Sequence, residues 1–375
     1  MKSGVIPDWR IKELIEKGVI RNADTSLINA SSLDLRVGFD KWKLLGSFLP
    51  LPGQKIEEAL RLREIADAHD ATKERFYVDV LQQYAMRLVE SLDLPTNVSA
   101  KIFNKSGRGR IGVSLRGLTD GTPEFGVVTG GYKGDIFAEV SSTSFPIVIN
   151  AGQTAIPQIR FYEGTPEPMS GSELELLLRS HPILTDDRGR PSYNQQERGQ
   201  MIRTGKLAFT ADISRRGLVA YVALRDKRTL DLVKRDFYLP EEFFAKELRQ
   251  GKGQRGVLIH PGDFVLIKSR EHIRLPPHVA GEIDEYSEEC GDIRAHYAGL
   301  INASHGYDPE GTNTPSSIVF EIRARDVPIF IQHGQRLARF NLYNMLDEPE
   351  QKYMERRSTN FSDLRSILPN IFKKD

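Results

Sequence analysis

Leu94-Pro95-Thr96-Asn97-Val98-Ser99-Ala100-Lys101-Ile102 returns as Leu275-Pro276-Pro277-His278-Val279-Ala280-Gly281-Glu282-Ile283. Leu, Pro, Val and Ile keep their places at a constant shift of 181 residues, 275 less 94, and the same shift carries Ser106 onto Ser287. Further on, Ile136-x-x-Glu139 and Pro146-Ile147-x-Ile149-x-x-Gly152-Gln153 return as Ile318-x-x-Glu321 and Pro328-Ile329-x-Ile331-x-x-Gly334-Gln335. There the shift is 182, 318 less 136, so one net residue was inserted between blocks. Solenoid units run roughly 20 to 50 residues, so a repeat of half the chain means two copies of one domain. Residues 1–200 are assigned to copy one and 201–375 to copy two.

Length and charge agree. A chain of 375 residues gives each half enough length to bury its own core. The net charge of +1 argues against a general binder of nucleic acid or membrane surface, which would carry a basic excess. Any anionic ligand must then meet a local cluster. Met1-Lys2-Ser3-Gly4-Val5-Ile6-Pro7 lacks the apolar core of a signal peptide, and no apolar run approaches the roughly 18 residues that span a bilayer. A cytoplasmic setting is expected. The one cysteine, Cys290, rules out an intrachain disulfide and a Cys-x-x-Cys metal clamp.

Asp8 to Lys17 places apolar residues at helical spacing behind an Asp cap and reads as a helix docked on a sheet rather than a DNA-reading one. Alternation in Ser32-Leu33-Asp34-Leu35-Arg36-Val37 marks a half-buried strand, and Gln54 to Thr72 reads as a charged helical excursion. Short β-like runs follow: Val78 to Val89, Ser99 to Phe103, Gly126 to Thr129, Asp135 to Val140 and Phe145 to Ile149. Copy two repeats them through Val257 to Ile267, Val279 to Ile283, Ile318 to Arg323, Val327 to Ile331 and Arg339 to Tyr343. Many short strands at this spacing predict a mainly β protein, two tandem β-barrels or jelly rolls with a few short helices. Glu163 to Gly205, with a Leu-rich helix over Glu173 to Arg179, reads as the tail of copy one joining the two.

Lys105-Ser106-Gly107-Arg108-Gly109-Arg110-Ile111-Gly112 packs three cations, a hydroxyl and three glycines into eight residues. Such a loop can cradle an anion, because glycine lets backbone amides approach closely while Lys and Arg supply charge. It reads equally well as a solvated basic turn, and it is not a Walker loop. Glu139 shares a strand face with Phe137, where an unpaired charge is costly, so it is either ion-paired or a general base. Glu321 holds the same place in copy two. His296, His305 and Cys290 lie in one stretch, but their spacing fits no common zinc pattern.

The order of Asn29-Ala30-Ser31-Ser32-Leu33-Asp34-Leu35-Arg36-Val37-Gly38, Leu94-Pro95, Lys105-Ser106-x-x-x-Arg110-x-Gly112, Gly126 to Glu139 and Pro146 to Gln153 resembles the dCTP deaminases, relatives of the dUTPases. The likeness covers nearly all of copy one and, more weakly, Gly256 to Tyr353, as in the long tandem deaminases. It implies two dUTPase-like barrels and zinc-independent hydrolysis of dCTP to dUTP and ammonia, supplying dTMP synthesis. The dUTPases place a water-activating Asp in Gly-Val-Ile-Asp-x-x-Tyr-x-Gly; this chain has Thr129 in Gly126-Val127-Val128-Thr129-Gly130-Gly131-Tyr132, and Asn302 in copy two. Neither is a carboxylate. The alternatives are a dUTPase-like pyrophosphatase, a bifunctional enzyme releasing dUMP, and a non-catalytic nucleotide-binding scaffold.

By the resemblance Glu139 moves protons between water and cytosine, Arg110 and Ser106 position the water, and Lys105, Gly107 and Arg108 help hold the triphosphate. Val127, Thr129, Tyr132, Gln153, Tyr193, Gln196, Ala298, Lys352 and Tyr353 complete the nucleotide contacts. The short deaminases are trimers with sites between subunits, so Ser106 and Arg110 with Glu321 form a composite alternative. Copy two has Gly291 where copy one has Arg110, and Glu288-Glu289 where phosphates would sit, which argues against a second full cradle. Magnesium would arrive on the triphosphate, with no zinc and no metal held by protein side chains. The expected assembly is a homo-oligomer with trimeric or pseudo-trimeric domain rings, dTTP being a candidate inhibitor.

Overall fold

The computed structural model describes residues 3–213, 218–225, 228–248, 256–284, 293–294, 298–307, 316–351 and 367–373. The main sheet of the first copy is antiparallel, in the order Val127–Val128, Val98–Asn104, Ala155–Glu163, Ser32–Leu44, Gln83–Asp93, Lys133–Ser142, Val113–Thr119, and Ile147–Asn150 and Arg75–Val78 pair in a smaller one. Ser32–Leu44 binds Ala155–Glu163 through its first half and Gln83–Asp93 through its second, with a register break between Val37 and Lys41. Such a break turns a strand from one sheet into the next, the usual corner of a barrel-like fold. Alternation explains the core: Met86, Leu88 and Leu92 face inward on Gln83–Asp93, as do Leu33, Leu35 and Val37 on Ser32–Leu44.

The second copy repeats the plan. Leu218–Ala223, Val265–Ile273 and Ser316–Ala324 stand in order, and Leu207–Thr210, Arg336–Asn344, Val279–Ile283 and Leu300–Ile301 form the facing sheet. The protein is therefore mainly β with two tandem barrel-like copies, as the strand pattern predicts. Among the described residues no helix is long and apolar enough to cross a membrane.

Three local expectations change. Of the predicted helix Gln54 to Thr72 only Ile56–Leu60 is helical; Ala66–Asp70 extends the sheet by pairing with Lys41 to Leu44. The first helix spans Asp8–Glu16, but Pro7 is its N-cap, and the Asp8 carboxylate accepts from the amides of Glu350 and Gln351 at 2.9 Å, so it ties down a distant segment. Within the joining segment Glu163 to Gly205, where a single helix over Glu173 to Arg179 is expected, Asn194 and Glu197 form a reciprocal capping box that starts a second helix over Gln195–Thr204.

The two copies are interleaved. Met169, Leu174, Leu177 and Leu178, from the segment expected to join the copies, lie in the second core. In return Leu230, Leu232, Phe243, Phe244, Phe264, Ile371 and Phe372 lie in the first, where Phe145 meets Phe243 and Phe244 edge-on. Edge-to-face aromatic pairs of this kind add roughly 0.5–1.5 kcal/mol each beyond area burial.

Candidate active site

Ser106 opens a single helical turn, Ser106–Gly109, in which the amides of Arg108 and Gly109 donate to the Lys105 carbonyl and that of Arg110 to Ser106. The loop's glycines thus serve a tight turn. Gly112 ends it at φ +77°, with the position of a Cβ only 2.1 Å from Ser144 Oγ, so no larger residue fits. The Lys105 ammonium is buried in an ion pair with Asp34, which also accepts from Gln158 and Asn29. Burial is the larger influence on Lys105 and pushes its pKa down. Arg108, also buried, donates to the Ala155 carbonyl; burial and the nearby Arg235 guanidinium push it down to about 9. Lys105, Arg108 and Arg235 thus surround Asp34 with an excess of positive charge.

Arg110 closes the turn, buried, with Nη1 donating to the Ile367 carbonyl at 3.1 Å. Ser106 and Arg110 face the second copy. Together with Gln158 they line a narrow crevice of about 60 Å³ whose other wall is Ala298, Leu300 to Asn302, His305, Ser316 to Val319 and Glu321. This volume admits a few waters. Glu321, 2% exposed, reaches the crevice from Ser316–Ala324. His305 lies on the same wall; burial and then Arg110 push its imidazole down to about 4, so it is neutral at physiological pH. Asn302 is held from behind, its Oδ1 accepting from Ser31 Oγ at 2.9 Å and Ser32 Oγ at 3.1 Å.

Glu139 is elsewhere. It accepts from Ser47 Oγ at 2.8 Å and lies 3.8 Å from Arg116, beneath the chain at Ser47 and Phe48. Its pKa is raised, burial outweighing the Ser47, Arg116 and Phe48 contacts. Phe48 and Phe137 share the small apolar cluster that seals this corner. The excursion after Ser32–Leu44 folds back over its own carboxylate, whereas the matching excursion of the second copy, through Leu230–Asp231, crosses to the first. Glu321, at the matching place in the repeat, lines the crevice.

The remaining expected residues scatter. Val127 and Thr129 line a shallow hollow of about 390 Å³ with Lys101, Tyr162 and Tyr343. Tyr132 is core, its hydroxyl donating to the Asp135 carbonyl at 2.5 Å, and Gln153 is exposed in a turn. Tyr193 lines a third hollow beside Lys206, Arg270 and Arg339; Gln196 is exposed on the adjoining helix. Lys352, Tyr353, Ser287 to Gly291 and His296 lie outside the described residues.

Sequence reasoning missed Gln158 and Arg160, because their strand Ala155–Glu163 is buried on both faces and shows no alternation. Arg160 is fully buried, and its guanidinium bridges the copies. Nη1 donates to the Gly281 carbonyl and Nη2 to the Ile301 carbonyl, both at 2.8 Å, while Nε donates to the Ser31 carbonyl at 3.3 Å.

Fold and crevice together define a tandem β protein of the dUTPase-like class. The chain belongs to the dCTP deaminase family: residues 2–165 match the family's "2'-deoxycytidine 5'-triphosphate deaminase (DCD) N-terminal domain" and residues 184–370 its C-terminal domain. It is 25% identical over 163 residues to "dCTP deaminase, dUMP-forming" of Methanoregula boonei, covering 42% of this chain and 81% of that protein. The protein of the same name from Methanoculleus marisnigri is 29% identical over 164 residues, 42% of this chain and 80% of that one. The crystal structure of 2'-deoxycytidine 5'-triphosphate deaminase from Agrobacterium tumefaciens superposes with a TM-score of 0.81 at 26% identity, over 92% of this chain and 100% of that one. The chain is accordingly a hydrolytic deaminase.

Proposed function

We propose that this enzyme converts dCTP and water to dUTP and ammonia at the crevice between its two copies, with Glu321 as the working carboxylate. The observation that carries the reading is that one crevice gathers Ser106, Arg110 and Glu321, while Glu139 is committed to Ser47 and Arg116. Glu321 takes a proton from the water as it attacks carbon 4 of cytosine and delivers it to ring nitrogen 3, then carries the proton of the new carbon-4 hydroxyl to the amino group, so that the carbonyl forms as the C–N bond breaks and ammonia leaves. Arg110 and Ser106 fix the water and stabilise charge as it develops. Ala298 and the Leu300 to Asn302 backbone form the base wall. Arg108 and Arg235 supply the positive field for the triphosphate, which brings its own magnesium, and Lys105 braces the loop through Asp34. The reaction belongs in the cytoplasm, supplying dUTP to dTMP synthesis, with dTTP as a candidate inhibitor.

The names of the methanogen relatives favour a second reading, in which the same enzyme also removes pyrophosphate and releases dUMP. Against it, Thr129 is exposed in a separate hollow, and the Asn302 side chain is engaged by Ser31 and Ser32.

The test is incubation of the protein with magnesium and dCTP, with a zinc chelator present, following ammonia and nucleotides together. Ammonia with dUTP is expected, and it should vanish in Glu321→Gln. Ammonia with dUMP and pyrophosphate would establish the second reading, and absence of ammonia would defeat both.

A further inference from the structure

In the first copy, the strand Ile147–Asn150 lies between two others. Arg75–Val78 pairs with it antiparallel, and Leu230–Asp231, sent across from the second copy, pairs with it parallel. The Leu230 amide donates to the Pro146 carbonyl at 2.9 Å and the Leu232 amide to the Val148 carbonyl at 3.1 Å. Both leucines are fully buried there, and Val148 is 7% exposed. The amide between them, that of Asp231, turns away to the Tyr238 hydroxyl at 2.8 Å.

The repeat places the same edge in the second copy. Pro146-Ile147-Val148-Ile149 becomes Pro328-Ile329-Phe330-Ile331, and the strand Ile329–Gln332 pairs antiparallel with Gly256–Ile259 as its counterpart does. Among the described residues no third strand covers its other edge. Phe330 is 47% exposed, and Leu258 beside it in the register 53%. An apolar strand edge left open is a template for a further strand, and adding an extended segment to such an edge is a common mode of protein association.

The repeat also supplies the segment. Leu230-Asp231-Leu232, moved back 181 residues, falls on Leu49-Pro50-Leu51, 230 less 49. There the leucines stand 40% and 66% exposed. Pro50 lacks an N–H, but it occupies the one position whose amide the parallel ladder does not use, so the proline is compatible with docking. In its own chain the segment is held against the first copy. It is tethered to the first copy by the Ser47 to Glu139 bond on one side and by the Gly121 amide on the Gln54 carbonyl on the other.

We propose that Leu49-Pro50-Leu51 of one chain adds as a parallel third strand to the open edge of Ile329–Gln332 in a second copy of the chain, its leucine amides donating to the carbonyls of Pro328 and Phe330. The Leu51 amide, which now donates to Gln54 Oε1 at 2.9 Å, exchanges that exposed bond for the ladder. Each chain carries one segment and one edge. Association is therefore head to tail, or reciprocal between two chains, and the contact repeats between molecules what Leu230–Asp231 does within one.

The experiment is mass by light scattering over a concentration series, on the full chain and on Leu51→Asp and Phe330→Asp. The wild type is expected to exceed the single-chain mass of 42.4 kDa, and each variant to fall to it. Mixing the two variants restores a two-chain species, because each supplies the half that the other lacks. Leu51→Met, which keeps the apolar contact, stays associated. A wild type at single-chain mass throughout would overturn the proposal, as would variants that associate unchanged. So would variants that lose association and do not regain it on mixing, the signature of misfolding rather than of a complementary edge.

Discussion

Replacing Arg160 by Met should remove the main polar bolt between the two copies. The side chain is fully buried, and two of its bonds, to the carbonyls of Gly281 and Ile301, are 2.8 Å long. Hydrogen bonds from a charged donor contribute roughly 1.5–3 kcal/mol each, and removing one partner leaves the other buried and unpaired. Glu282 is 4% exposed and lies 3.4 Å from the same guanidinium; among the described residues it would keep Lys101, at 3.2 Å, and the Tyr162 hydroxyl. Two such bonds plus a weakened buried pair place the loss at about 3–5 kcal/mol, the range for breaking a buried ion pair from one side. That is a large share of the roughly 5–15 kcal/mol by which domains are stable. Arg160→Lys should recover little, because an ammonium cannot span carbonyls that a planar fork reaches. The assay is urea unfolding followed by fluorescence, with dCTP turnover measured on the folded fraction. Turnover should fall as well, since Ile301 precedes the crevice residue Asn302 and both hang on Ser31 and Arg160. A midpoint change worth under about 1 kcal/mol would refute the bridging argument.

The two carboxylates should separate cleanly: Glu321→Gln lowers kcat by roughly 10²–10⁴, while Glu139→Gln changes it less than threefold or so in a steady-state ammonia assay. Equal losses would return Glu139 to the mechanism. Glu139 is also raised above its ordinary 4.5 by burial, so the folded state keeps a proton that the unfolded chain has released. The stability it contributes is present below pH 4.5 and lost as the pH rises through its folded value, so Glu139→Gln should match the wild type in acid and equal or exceed it near neutrality in pH-dependent melts. His305 runs the other way. Its folded value of about 4 lies below its ordinary 6.5, so the unfolded chain binds the proton first and stability falls as the pH drops from 6.5 through about 4. His305→Asn should flatten that limb, and an unchanged limb would show that the imidazole is not buried against Arg110.

Much of this protein could be read along the chain. The repeat at Leu94 and Leu275 announced two copies, and alternation on Ser32 to Val37 marked a strand, because a half-buried strand writes its burial into every second residue; the β-like run Val78 to Val89 was legible too, although the structure divides that region into Arg75–Val78 and Gln83–Asp93. The Ser106 to Gly112 loop and both glutamates were legible as residue types at fixed spacing. Which glutamate faces a crevice was not. That was decided by two excursions at matching places in the repeat, one folded back so that Ser47 meets Glu139, the other crossing so that Leu230 pairs with Ile147. Nor did local pattern reveal Arg160, or that Asp8 receives the amides of Glu350 and Gln351 rather than capping its own helix. Periodicity and capping propensity act within a few residues, so sequence alone determined the strands, the repeat and the chemical inventory. Contacts between residues hundreds of positions apart depend on which edges and carbonyls remain unpaired once the barrels close, and tertiary structure alone settled those.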